Sequence, residues 1–490
     1  MSGRAVVRDA SKAPVVLPSG VLDPEGSTYD PSAKPPPFGR ALRKFWGFEE
    51  TYVNVNHGSY GSLPLPVLAQ CNRLSLLAEA NPDRFHRSTY MPMLADARKQ
   101  IAELVGAEHD EIVIVPNTTH GLNTILRNIE WRTGDIVLTT TVTYNAVERS
   151  VQYLADRAEG PHPTAHTLVL TYPTTHAEIV AALRAKLRAL KAAAPAPFDI
   201  APGDSDSDVR AKHNRLVVVL DAIVSVPGAA MPWVEMVRVI REEGAWSVVD
   251  AAHSLGQELN INLGEAQPDF WVSNCHKWLY VKRGCAALYV PKRNQHLIKA
   301  SVPTSHAYPG ADLIRETGDT NFVEQHEWTG TQDFIPYLSI PHALAFRKWL
   351  GGEDAINGYC HKLAREGGQR LATILGTRVL DASGEATLCM TNVQLPLPVE
   401  ETGPNANANG VYTPDVRAKL SALFANRFLN KYNTHPGTFF HAGAVWCRIS
   451  VQVWTEMADF EYVGKALNEI CKEARETILG QEVRGEGSKL

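Results

Sequence analysis

The chain has 490 residues, of which 44% are hydrophobic and 21% charged, which is ample material for a large core and excludes wholesale disorder. With 48 basic and 53 acidic residues the net charge is −5, so no basic excess points to nucleic acid or an anionic membrane. Seven cysteines, an odd number without a CxxC pair, argue against a disulfide scaffold or a cysteine metal site and suit a reducing compartment.

Taken in chain order, residues 1–40 are poor in aromatics and close on Pro35-Pro36-Pro37. A flexible N-terminal arm is expected over 1–50, with organised sequence beginning near Phe45. Its start has no continuous apolar run, so secretion is not expected. Glu111–Val115 then reads as a short apolar strand, followed by a helix through Asn128 that Asn117 or Thr118 caps. The alternation continues with strand Ile136–Thr139, helix Asn145–Asp156, strand Thr167–Leu170 and the Ala-rich helix Ala177–Ala194. Residues 192–214, rich in Pro and acidic-serine sequence, read as a surface insertion. The apolar stretch Leu216–Met231 is interrupted by Asp221, Ser225 and Pro227, which makes it a buried strand and its exit loop rather than a membrane span. Helix Trp233–Glu243 and strands Trp246–Val249, Phe270–Val272 and Ala286–Val290 complete a region of α/β class. Strands alternating with helices predict a mainly parallel sheet covered on both faces, in a large domain over 51–335. From 336 to 490 the pattern changes. Long helices (His342–Leu350, Asp354–Leu375, Pro414–Asn430, Asp459–Leu479) flank short strands near Leu388–Gln394 and Trp446–Val451, as in a smaller α+β domain.

One lysine stands out. Lys277 follows an apolar strand, in Ser273-Asn274-Cys275-His276-Lys277-Trp278, and Asp250 ends another, in Ser247-Val248-Val249-Asp250-Ala251-Ala252-His253. They are 27 residues apart, about one α/β unit. Strand C-terminal ends of a parallel sheet line one rim, where ligands bind. Pyridoxal phosphate needs that arrangement: a lysine bonds its aldehyde as a Schiff base, and a carboxylate keeps its pyridine nitrogen protonated. Its phosphate needs N–H groups at a helix start and hydroxyls, which Asn117-Thr118-Thr119 offers. Tyr144 is placed to cover a cofactor face and Arg448 to hold a substrate carboxylate. Singly, each has a plain structural reading, as a cap, a solvated lysine or a core ring. Their order on successive strand ends is what carries the assignment.

With these residues the chain resembles the class V aminotransferase superfamily of fold-type I pyridoxal-phosphate enzymes, over about Tyr52 to Leu479. The motifs are Asn54–Gly61 (NVNHGSYG), Asn117–Asn123 (NTTHGLN), Asp250–His253, Ser273–Trp278, Trp328–Asp333 (WTGTQD) and Arg448-Ile449-Ser450. Within the superfamily the likeness is to fungal hercynylcysteine sulfoxide lyases of ergothioneine biosynthesis and to isopenicillin N epimerase-like proteins. The resemblance implies a seven-stranded-type, mainly parallel sheet and a role for each matched residue. Lys277 is the covalent anchor, Asp250 the partner of the pyridine nitrogen, and His253 the partner of the phenolic oxygen, where several relatives carry Gln. Thr118, Thr119, Asn274 and His276 contact the phosphate. Gly330 and Thr331 reach the phosphate of the partner subunit, in an obligate homodimer with composite sites. Tyr144 stacks on the ring and serves as acid to a leaving sulfur, Arg448 clamps the carboxylate of an amino-acid substrate, and Asn56 and Tyr60 line the entrance.

The sequence also separates reactions. A cysteine desulfurase needs a mobile nucleophilic cysteine in its C-terminal half, and Cys360, Cys389, Cys447 and Cys471 all sit in apolar strands or amphipathic helices. A C–S β-lyase acting on an S-substituted cysteine, such as a sulfoxide, needs only a base and an acid, here Lys277 and Tyr144. The alternative is a secondary-metabolite enzyme on the same scaffold: an epimerase, a decarboxylase or cyclase, or an aminotransferase. In that case Asn81–Arg87 is a candidate pocket wall. A non-catalytic binding protein is the remaining class, and it would be marked by loss of Lys277 or Asp250. The terminal Ser488-Lys489-Leu490 reads as a peroxisomal address, which leaves a cytoplasmic or peroxisomal location.

Overall fold

The computed structural model describes residues 26–480 except 158, 195–197, 199–212, 301, 305–306, 309, 311–319 and 401–409. Most of the expected 192–214 insertion, residues 1–25 and Ser488-Lys489-Leu490 therefore lie outside the described residues.

The large sheet has seven strands: β1 Ile112–Val115, β2 Ile136–Thr140, β3 Thr164–Leu168, β4 Leu216–Asp221, β5 Trp246–Asp250, β6 Phe270–Asn274 and β7 Ala286–Tyr289, in the spatial order β1-β7-β6-β5-β4-β2-β3. From β3 across to β6 every pairing is parallel, as the strand–helix alternation predicts. β7 runs antiparallel to both β6 and β1. The segment 275–285 that leads into it contains only the one-turn helix α7, Cys275–Trp278, too little chain for a crossover back to a parallel start.

Two cores form because alternate side chains of a strand leave opposite faces. In β4, Leu216, Val218 and Leu220 join one core with Ile179 and Leu183 of α5 (His176–Ala193) and Val237 and Ile240 of α6 (Trp233–Glu242). Val217 and Val219 join the other, with Leu122 and Ile125 of α3 (Thr118–Asn128) and Val147 and Val151 of α4 (Asn145–Ala155). Strand β4 is thus apolar until its last residue, Asp221, and β5 and β6, with a single buried serine each (Ser247 and Ser273), end in Asp250 and Asn274. That abrupt change of residue type marks the rim.

Before β1, helices α1 (Leu65–Ala80) and α2 (Tyr90–Val105) pack against the later α8 (Ile340–Trp349). The C-terminal part holds a three-stranded antiparallel sheet of β8 Met390–Gln394, β9 Gly437–His441 and the central β10 Ala444–Ser450. It is flanked by α9 (Gly352–Leu375), α10 (Pro414–Asn430) and α11 (Met457–Ala474). The described part of the expected flexible arm, 26–50, is docked. Leu42, Phe45 and Trp46 are buried, Phe45 lies edge-on to Phe346, and Trp46 meets Tyr280 and Trp454. Large aromatic surfaces so close in sequence find a core rather than water.

Candidate active site

The C-terminal ends of the central strands open into a pocket of about 220 Å³. Thr118, Thr119, Tyr144, Asp250, His253, Asn274, His276, Lys277 and Tyr60 all line it, so the rim gathers residues up to 217 positions apart. Lys277 is the third residue of α7, within the single turn that follows β6. Its Nζ lies 3.0 Å from Nε2 of His253. Burial lowers the lysine pKa to about 8, although the carboxylate of Asp250 works the other way. His253 is held neutral, its pKa well below the usual imidazole value because of burial first and then the charges of Lys277 and Arg448.

Asp250 accepts a hydrogen bond from the Ala252 N–H at 3.0 Å, and burial raises its pKa to about 6. A second carboxyl group stands beside it. Asp221 is in register with Asp250 across β4 and β5, and its pKa is raised further by burial and then by Asp250. Two buried carboxyls side by side resist ionising together, and burial with the neighbouring Asp250 favours the protonated form of Asp221. The sequence reads Asp221 only as a break in an apolar stretch. Its signal was the same as that of Asp250: an acid in the last position of a fully buried strand.

At the mouth of α3, the Asn117 side chain accepts from the His120 N–H at 2.8 Å and caps the helix. The Thr118 N–H donates to Oδ1 of Asn274 at 3.0 Å, while Oγ1 of Thr118 is buried without a partner. Nδ1 of His276 is 2.9 Å from the Cys285 carbonyl, and burial lowers its pKa to about 4. Tyr144, at the N-cap of α4, is half exposed at the pocket edge.

Arg448, on β10, enters from the C-terminal sheet. It donates to the Ser225 carbonyl (2.7 Å), to Oδ1 of Asn56 (2.9 Å) and to Oγ of Ser59 (2.8 Å). All of these are neutral oxygens, and its Nε is buried without a partner. Burial lowers its pKa to about 10, which leaves it charged. Asn56, Ser59, Tyr60 and Arg448 also face an adjoining chamber of about 810 Å³, walled by Phe48, Tyr52, Phe428 and Phe439. Ser59, Ser225 and Trp278 are contributors that the sequence did not single out, while Asn56, expected at the entrance, bonds Arg448 directly. Gly330 and Thr331 do not line the pocket of their own chain, and neither does Asn81–Arg87.

The fit to pyridoxal phosphate can be judged on orphaned atoms. Oγ1 of Thr118 at a helix start and Nε of Arg448 are buried, polar and without a partner among the described residues, and Asp250 lines the same pocket as Thr118. A hydroxyl and helix N–H groups suit a phosphate, the Asp250 carboxylate suits a ring nitrogen, and a guanidinium suits an amino-acid carboxylate. The residues present fit the group.

The chain matches the family described as aminotransferase class V over residues 61–165 and 162–397. It is 34% identical over 468 residues to an L-cysteine desulfhydrase-like protein, lolT1, of Epichloe uncinata, covering 91% of this chain and 98% of that one. It is 29% identical over 444 residues to the hercynylcysteine sulfoxide lyase of Schizosaccharomyces pombe, covering 89% and 98%. Among solved structures it is similar to the cystine C-S lyase C-DES, with a TM-score of 0.64 at 19% identity, covering 85% of this chain and 97% of that one. A pocket built for the cofactor, on a fold and a sequence shared along most of the chain, places this protein in the class V aminotransferase family of pyridoxal-phosphate enzymes.

Proposed function

We propose that this protein is a pyridoxal-phosphate-dependent C–S β-lyase acting on an S-substituted cysteine, preferably a sulfoxide, and releasing a sulfur-bearing product with pyruvate and ammonia. The observation that carries this reading is a buried amine base in a pocket without a thiol. All seven cysteines are buried and none lines the pocket or the chamber beside it. Burial raises the thiol pKa of Cys71, Cys285, Cys389, Cys447 and Cys471, so they are poor nucleophiles. The similarity to a desulfhydrase-like protein and to a sulfoxide lyase supports the same reading.

Lys277 would hold the cofactor covalently, Asp250 its ring nitrogen, and Thr118, Thr119, Asn274 and His276 its phosphate. When bound, the cofactor supplies an electron sink for the electrons left as the substrate's Cα–H bond breaks. Arg448 binds the substrate carboxylate through the fork that Asn56, Ser59 and Ser225 hold in place, and so fixes which bond at Cα lies over the cofactor. With a pKa near 8, Lys277 has an accessible neutral form to accept the Cα proton. Tyr144, at the pocket edge, donates a proton to the departing sulfur. The aromatic chamber next to Arg448 gives room for a sulfur substituent larger than hydrogen, which favours S-substituted over free cysteine. In a two-fold dimer, Gly330 and Thr331 would complete the partner's phosphate site.

The test is pyruvate release from S-substituted cysteine sulfoxides, hercynylcysteine sulfoxide among them, measured beside L-cysteine. Turnover of the sulfoxides is expected, with Tyr144→Phe lowering kcat by about 10²–10⁴-fold. Epimerised, decarboxylated or cyclised product without pyruvate would overturn the reading.

A further inference from the structure

We infer that Trp278 is a positioning residue that fixes the tautomer of His253, so that the imidazole turns an N–H toward Lys277 and the cofactor site. The inference rests on the cofactor reading of the pocket and is independent of which substrate bond is cleaved.

An indole N–H can only donate. Nε1 of Trp278 lies 3.1 Å from Nδ1 of His253, so Nδ1 is the acceptor. A neutral imidazole that accepts at Nδ1 carries its proton on Nε2. Nε2 in turn stands 3.0 Å from Nζ of Lys277, which makes the lysine nitrogen the acceptor of that N–H. The reverse arrangement fails. A lysine ammonium donating to Nε2 would need the ring proton on Nδ1, where it would meet the indole N–H head-on. The indole therefore sets the direction of a three-member chain, Trp278 to His253 to Lys277, and favours the uncharged lysine. Lys277 and Arg448 both oppose protonation of His253, which keeps the ring neutral. On Lys277 itself burial and Arg448 oppose the charge, while Asp250 and Asp221 favour it, and burial is the largest of these.

The indole has no freedom to turn its N–H elsewhere. Trp278 and His253 are 0% and 1% exposed, so solvent does not compete for either ring. Gly256 has φ +90°, and a Cβ there would stand 2.5 Å from the Trp278 carbonyl carbon. A Cβ on Gly58 would come within 2.8 Å of the indole Cζ2. The guanidinium of Arg347 donates both to the Trp278 carbonyl and to the Gly256 carbonyl, each at 2.9 Å. One buried cation thus ties the loop carrying the indole to the loop carrying the imidazole.

The experiment is ¹⁵N NMR of the holoenzyme labelled at histidine, with a double-mutant cycle of Trp278→Phe and His253→Gln. Cofactor content is measured separately by absorbance, so failure of the cofactor reading shows there and not in the tautomer. In the unsubstituted protein an acceptor-type Nδ1 and a protonated Nε2 are expected for His253. This needs no variant, and it stands if Trp278→Phe does not fold. Where it folds, Trp278→Phe should give a mixture of tautomers and a loss in kcat of roughly five- to tenfold, the size of one neutral hydrogen bond. The same substitution beside His253→Gln should add less than about twofold, because an amide has no tautomer to set. A proton on Nδ1 in the unsubstituted protein, or an equal loss in both backgrounds, overturns the inference.

Discussion

Arg347 and Arg448 are both shut away from solvent, at 1% and 4% exposure, yet their surroundings differ in kind. Arg347 faces a bidentate carboxylate, Glu353, at 2.6 and 2.5 Å, and two backbone carbonyls. Burial opposes its charge, but Glu353 more than compensates, and its pKa is raised. Arg448 meets neutral oxygens alone, keeps an unpartnered Nε, and its pKa is lowered by burial. The first has a partner on each of its three nitrogens, and the second has no counter-ion among the described residues that bond it. A buried cation with its partner in the chain serves the architecture, whereas one without fits the carboxylate-binding role proposed for Arg448.

The largest expected effect comes from breaking the paired site. Arg347→Met leaves the partly buried Glu353 without its cation and two backbone carbonyls without their donor, and should cost about 3 kcal/mol of stability in denaturant unfolding. Arg448→Met should instead leave stability unchanged or higher, because it removes a charge that burial disfavours. Its loss should fall on substrate, as about 2–5 kcal/mol in kcat/KM, with cofactor absorbance retained. If both substitutions destabilised equally, the distinction would fail.

The smallest effect is a pH dependence in the cofactor-free protein. Asp250 rises to about 6 on folding, so the folded state holds a proton that the unfolded chain has released. Stability should fall as pH climbs from about 4 to that value. Lys277 drops to about 8, so the unfolded chain binds the extra proton above that point, and stability should recover between there and about 10.4. Denaturation midpoints against pH, with and without cofactor, measure both slopes. Cofactor should flatten them, since it gives each group a partner.

Much of this was legible in the sequence, for reasons that particular residues make plain. β4 and β5 announce themselves as apolar runs that end in an acid, and Lys277 follows a third. The edge strand β3 was harder: the apolar Leu168-Val169-Leu170 attracts the assignment, while the ladder runs over Thr164–Leu168 with most side chains not buried. β9 was missed for the same reason, since Gly437-Thr438-Phe439-Phe440-His441 has only one buried position. The pairing of Asp221 with Asp250, the bond from Trp278 to His253 and the grip of Arg347 on two loops depend on which strands become neighbours. No local pattern encodes that.

The hydrogen-bonded group around Arg448, the proposed carboxylate site, draws on Asn56 and Ser59 in the first part of the chain, Ser225 in its middle and Arg448 in its last part. Lys277 and the rim acids Asp221 and Asp250 all lie before residue 278. The side chains proposed to hold the cofactor on the strand rim are therefore synthesised well before Arg448, the one proposed to grip a carboxylate. A fragment ending at residue 397, where the family match stops, would keep Lys277 and lose the whole of β10. Commitment to chemistry is in this way tied to completion of the polypeptide.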